Sequence, residues 1–173
     1  MKAHTAESQA DISPSKALDI LKEGHQRFVN NLKINRNLLE QVNDTKDGQF
    51  PFAIVLSCID SRTSAELIFD QGLGDVFSVR IAGNILNEDI LGSMEFACKV
   101  AGSKVIVVLG HTRCGAIKGA CDHVEMGNLT HLLKKLEPAI DRETDTTENR
   151  NSGNMEFVDH VAEINVHLTL QDI

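Results

Sequence analysis

The sequence predicts an α/β fold, with a mainly parallel central sheet flanked by helices. Three observations carry that reading. Residues 52–56 (FAIVL) and 104–109 (KVIVVL) are short, nearly continuous apolar runs, as strands covered on both faces are. A third such run, residues 76–79 (VFSV), lies between them. Helical segments separate the runs, and the order strand, helix, strand, helix, strand builds a parallel sheet through crossovers.

Ser13 caps the first helix, Pro14 takes its first position, and Leu18, Leu21, Phe28 and Leu32 share one face. The polar stretch through Asn43, Asp44, Asp47 and Gly48 reads as a loop. After the first strand, residues 64–69 form one or two helical turns, ended by Gly72 and Gly74. A helix over about residues 88–100 turns Ile90, Met94, Ala97 and Cys98 inward and stops at Gly102. Another helix follows Gly115, and a further one over residues 129–136 breaks near Pro138. Residues 141–154 are polar and charged and read as a mobile surface loop. Phe157, Val161, Ile164 and Leu168 mark a last helix over residues 155–173. The 173 residues fit a single domain, with residues 1–35 as a helical arm and residues 50–125 as the chemical core.

Composition excludes several functions. A net charge of -8, with no Trp and no Tyr, leaves neither the basic face nor the stacking surface that nucleic acid demands. No apolar run approaches the roughly 18 residues of a membrane span, and the first dozen residues lack a signal-peptide core. The expected location is the cytoplasm, where four cysteines point to metal binding or catalysis before disulfides.

Two strands run into unusual chemistry. The first leads into Cys58-Ile59-Asp60-Ser61-Arg62, and the third into Gly110-His111-Thr112-Arg113-Cys114-Gly115. Sites in open α/β sheets form at the carboxyl ends of strands, so neighbouring strands would bring Cys58, Asp60, His111 and Cys114 together. Two thiolates, an imidazole and a replaceable carboxylate make a tetrahedral zinc set with a position for water. Cys58 and Asp60 lie two apart and point to one side of extended chain, and a tight turn does the same for His111 and Cys114. Arg62 can grip the Asp60 carboxylate through two parallel hydrogen bonds, which frees that position. Singly, each of these residues has an ordinary reading: a core cysteine, a structural histidine, a turn with a local ion pair. Their joint occurrence at two strand ends favours the metal site. A redox dithiol is disfavoured, because Cys58 and Cys114 form no Cys-x-x-Cys. Cys98 and Cys121 read as core residues, and the other six histidines lack partners at ligand spacing.

Together, Cys58-Ile-Asp60-Ser-Arg62 and His111-Thr-Arg-Cys114-Gly115 resemble the paired signature of the β-class carbonic anhydrases. The likeness runs from about residue 49 to residue 124, includes Val79-Arg80-Ile-Ala-Gly-Asn84, and continues more weakly over the first and last helices. The resemblance implies a β-carbonic-anhydrase-like fold and reversible hydration of carbon dioxide to bicarbonate and a proton, carried out by hydroxide on Zn2+. It implies that Cys58, His111 and Cys114 hold the zinc. Asp60 is then either a fourth ligand in a closed state or the partner of Arg62 in an open one. It assigns Gln49, Phe77, Ala82, Gly83, Phe96 and Gly115 to the substrate site, and it implies a homodimer or homotetramer. In that assembly the N-terminal helix reaches a partner or packs on its own subunit. Some family members carry a Trp-Arg-Tyr bicarbonate site; Arg80 matches its arginine but Val55 stands at the Trp position, so the open form is expected. Family members also continue past residue 173, and the expected sheet lacks their C-terminal strand. Two other functions fit the same residues: a zinc hydrolase acting on carbonyl sulfide or carbon disulfide, and a non-catalytic, truncated zinc-binding protein.

Overall fold

The computed structural model describes residues 2–173. The chain divides into two compact units. The first holds everything described up to Leu56, with Ser64–Val79 and Asp89–Val107; the second holds Ser57–Thr63, Arg80–Glu88 and Val108–Ile173.

Three strands, β1 (Ala53–Ser57), β2 (Val76–Arg80) and β3 (Val105–Leu109), form one sheet in the order β2-β1-β3. The Phe52 N–H donates to Asp75 and the Ile81 N–H to Ser57, so the numbers rise together and β1 and β2 run parallel. Every residue of β1 is buried, as a central strand requires. β3 is as apolar, yet each of its residues is only partly buried, because it is an edge strand. The last one or two residues of each strand already belong to the second unit.

Four helices belong wholly to the first unit: α1 (Ala6–Ala10), α2 (Pro14–Val29), α3 (Leu38–Asp44) and α4 (Ala65–Ile68). Neither α1 nor α3 was expected from the polar sequence around it. Each is held by its cap, Thr5 with Ser8 for α1 and Asn37 for α3. On α1, the buried Gln9 donates through Nε2 to the carbonyls of Pro51 and Ala101, at 2.8 and 2.9 Å.

The cap Ser13 and Pro14 start α2 as expected, but its buried stripe differs from the predicted face. Ala17, Leu21 and Gly24 are buried, at i, i+4 and i+7, whereas Leu18 and Phe28 stay substantially exposed. The cause is close approach: a Cβ on Gly24 would lie 1.7 Å from the Phe69 carbonyl oxygen. Small residues set this packing line. Leu32 falls beyond the helix, which ends at Val29 just before the left-handed Asn31. Leu21 is 1% exposed beside Phe52 and Val76, so Leu21→Ala should lower unfolding stability by about 3 kcal/mol in urea titration.

Asp70 is buried in the same unit with φ 44°. Its carboxylate accepts from Arg27 Nε at 2.5 Å and Arg36 Nη1 at 2.6 Å, which ties Arg27 and Arg36 to the segment that follows α4. Burial alone would raise the pKa of Asp70; the two guanidinium groups and the Ile34 N–H overcome it and hold the carboxyl below its ordinary value. A depressed pKa contributes stability above the unfolded value and loses it as pH falls through the folded one. Asp70→Asn keeps a residue that tolerates positive φ but removes the charge. It should cost on the order of 3 kcal/mol at pH 7, with the gap to wild type closing as pH drops below about 4. A gap that is constant with pH in thermal melts would contradict this.

α5 (Glu88–Glu95) starts in the second unit and continues into the first, ending in a π-helical turn, Phe96–Val100. Ile90, Met94 and Ala97 are buried as expected, and Cys98 is partly so. The second unit also contains α6 (Gly115–Cys121), α7 (Gly127–Leu133), a 3-10 turn at Lys134–Leu136, α8 (Glu137–Arg142) and α9 (Met155–Asp172). Pro138 sits in the first turn of α8, where its missing N–H costs nothing, so a new helix begins at the predicted break. Phe157, Val158 and Val161 of α9 pack on Ile117, Leu133 and Leu136, and Cys121 joins this core.

The 141–154 segment is polar, but it is tied down. Buried Glu143 accepts from Thr146 and from Arg150 Nη1 at 2.5 Å, and Arg150 also lies 4.7 Å over the Phe157 ring. Among the described residues, no helix is long and apolar enough to cross a membrane.

Candidate metal centre

The second unit gathers Cys58, His111 and Cys114 at one point: two sulfurs and a ring nitrogen lie within 4.8 Å of one another. Adjacency of β1 and β3 produces this, since Cys58 follows the end of β1 and His111 lies two residues beyond β3. Both cysteines are buried. Cys114 is the N-cap of α6, so the helix begins at the ligand itself.

The donors fit zinc on three counts. Cys58 Sγ and Cys114 Sγ are 3.9 Å apart. Two Zn–S bonds of roughly 2.3 Å at the tetrahedral angle would separate the sulfurs by about 3.8 Å. His111 Nδ1 lies 3.0 Å from the Thr112 carbonyl, which can only accept, so the proton sits on Nδ1. That leaves Nε2, a buried atom without a hydrogen-bond partner, with its lone pair free for a metal. The thiols behave as a coupled pair. Cys114 hydrogen-bonds to Cys58 and draws its pKa down to about 4 against the cost of burial, with His111 and the Gly83 N–H assisting. The Cys114 thiol is pushed up by the same bond and by burial.

Asp60 is not part of this trio. Its carboxylate is forked by Arg62, Nε to Oδ1 and Nη2 to Oδ2, each at 2.9 Å, while the Arg62 N–H adds a third bond at 2.9 Å. Those hydrogen bonds hold the carboxyl well below the usual carboxylate range. Asp60 Oδ2 stays 3.9 Å from His111 Nδ1.

A cavity of about 250 Å³ opens beside these groups, lined by Cys58, Asp60, Ala82, Gly115, Leu129 and Leu133 among others. Its lining comes wholly from the second unit and is mainly apolar. Ala82 and Gly115 thus lie at the site, and Gly83 touches it through its N–H, 3.3 Å from Cys58 Sγ. Gln49, Phe77 and Phe96 belong to the first unit. Gln49 is exposed after α3, and Phe77 and Phe96 meet edge to face with centroids 6.4 Å apart.

Several supports were not foreseen. Thr63 Oγ1 donates to the carbonyls of Cys58 and Asp60, and Arg80 donates to the same two, at 3.1 Å from Nε and 2.6 Å from Nη2. Arg80 thus secures the Cys58–Asp60 loop. Asp159 of α9 accepts from the N–H of Arg113, which sits between two donors of the trio at φ 56°. Thr63 could have been found from its place beside the motif. Asp159 could not, because 46 residues separate it from its partner and no local pattern marks the pairing.

Comparison with known proteins agrees with this geometry. The family model described as carbonic anhydrase matches residues 53–173. Carbonic anhydrase 2 of Mycobacterium tuberculosis is 42% identical over 134 residues, and the carbonic anhydrase of Mycolicibacterium smegmatis 41%. Each alignment covers 74% of this chain but 65% of the relative, so the chain spans just under two thirds of those proteins. Among solved structures, the β-carbonic anhydrase CafA of Aspergillus fumigatus superimposes with a TM-score of 0.68 at 27% identity, over 91% of this chain and 73% of that one. A family match over most of the chain, the shared α/β architecture and the Cys-His-Cys cluster lead to one conclusion: the chain belongs to the β-class carbonic anhydrases.

Proposed function

We propose that this chain catalyses the reversible hydration of carbon dioxide to bicarbonate and a proton, with zinc held by Cys58, His111 and Cys114. The observation that carries the reading is the juxtaposition in one unit of the trio, the Asp60–Arg62 fork and an apolar cavity. Zinc bound there supplies Lewis acidity, which makes a nucleophile of water at neutral pH.

The chain's own residues do the rest. The apolar wall of Ala82, Leu129 and Leu133 suits a small uncharged substrate. Asp60, kept ionised and oriented by Arg62, accepts a hydrogen bond or a proton from water entering the cavity, and its engagement with Arg62 supports the open form over the closed one. The Gly115 N–H, at the start of α6 and in the cavity lining, is the donor that the resemblance assigns to an oxygen gaining negative charge. The substrate-binding roles of Gln49, Phe77 and Phe96 rest on resemblance alone.

Exposed apolar residues along the N-terminal arm, Phe28, Val29 and Leu32, support assembly into a homodimer or homotetramer. Light scattering at micromolar concentration should show no monomer. The four free cysteines support a cytoplasmic location.

Stopped-flow carbon dioxide hydration with parallel zinc determination tests the function. Fast hydration is expected from protein carrying about one zinc per chain. Folded, zinc-loaded protein that does not exceed the buffer rate would refute it, and parallel assays on carbonyl sulfide and carbon disulfide would show whether those gases are preferred.

A further inference from the structure

Most buried positions of α9 are apolar, but Asn165 and Thr169 are polar and only 5% and 4% exposed. They lie four apart, on one face of the helix. A buried amide costs free energy unless it is hydrogen-bonded, so its partner shows its use. Asn165 Nδ2 donates to the carbonyl of Gly83 at 2.9 Å. The Thr169 hydroxyl lies 3.5 Å from the Asn84 carbonyl, too far to contribute much.

Gly83 stands in the 3-10 turn Ala82–Asn84 at φ 69°, and its own N–H donates to Cys58 Sγ. The residue is thus held at both ends, by a ligand sulfur at its N–H and by α9 at its carbonyl. Leu136 and Ala116 close the remaining space, since a Cβ at this position would approach them to 3.1–3.3 Å. Its N–H and its carbonyl belong to successive peptide planes that meet at Cα, so a hydrogen bond on the carbonyl restrains the Cα from which the N–H is aimed.

We infer that Asn165 is a positioning residue for the metal centre: by fixing the Gly83 carbonyl it aims the Gly83 N–H at the Cys58 sulfur. An N–H aimed at a thiolate fixes the sulfur's direction and draws charge from it, which leaves a bound metal the stronger Lewis acid. The inference rests on the zinc reading above and extends it to a helix that carries none of the proposed ligands.

NMR of the whole chain loaded with cadmium-113 provides the test. In wild type, the Gly83 amide proton should show scalar coupling to cadmium through the sulfur and slow exchange with solvent. Asn165→Asp keeps the side chain's size but replaces the donor with an acceptor. The coupling should then disappear, and cadmium affinity in chelator competition should fall about tenfold. Thr169→Val should leave the coupling in place. An Asn165→Asp protein that melts lower but keeps both coupling and affinity would reduce Asn165 to a plain structural role and overturn the inference. Should that variant not fold, the wild-type spectrum decides: bound cadmium without coupling to Gly83 overturns it. Folded wild type that binds no cadmium would sink the metal reading itself.

Discussion

Cys114→Ser should strip the protein of zinc while leaving its fold intact. Serine nearly matches the thiol in size and is a favoured N-cap, the position that Cys114 occupies on α6. Helix content by circular dichroism should therefore be unchanged. What serine lacks is an ionisable soft donor, since its hydroxyl stays protonated where a thiolate would bind. The serine hydroxyl can still donate to the Cys58 sulfur, so the change is confined to one ligand of the trio. Zinc content should fall from about one per chain to near zero, and hydration at least about a thousandfold, because water without a metal has its ordinary pKa. A Cys114→Ser protein with stoichiometric zinc would show that the metal is held elsewhere.

The sequence made the centre of the fold legible because its signals there are local. The FAIVL and KVIVVL runs marked strands, and the motifs that follow them marked where chemistry would gather. The sequence could not rank the strands. β1 is central and β3 lies at the edge, a difference of pairing that composition does not express. The short helices α1 and α3 escaped notice because caps and single buried glutamines hold them, and nothing local marks Gln9 or Gln41 as buried. The inward face of α2 was misread for a related reason: large residues suggested the stripe, whereas close approach at Gly24 selected small ones. At the site, the convergence of Cys58, His111 and Cys114 and the grip of Arg62 on Asp60 followed from spacing at two strand ends. The braces from α9, Asp159 and Asn165, did not, since partners 46 and 82 residues away leave no pattern in a single sequence.

Arg62→Ala should give the opposite dissociation, with zinc retained and activity lost. Arg62 contacts none of the three donors, so the trio that would hold the metal is left whole. Alanine still offers the backbone N–H that reaches Asp60 Oδ1, but both guanidinium bonds vanish. The carboxyl would then rise toward its ordinary pKa of about 4 and remain ionised at pH 7. Any loss at neutral pH must come from orientation, not from protonation. A carboxylate released from its fork is free to turn toward the trio and compete for the position that water needs. Hydration should fall about a hundredfold, the scale of a misplaced acid-base group, with no new inflection in the pH profile between 6 and 9. Arg62→Lys should recover little, because an ammonium is a point charge and cannot hold both oxygens in one plane. Full activity in Arg62→Ala would remove the fork from the mechanism. A profile shifted by more than one pH unit would mean that Arg62 acts through charge, not geometry.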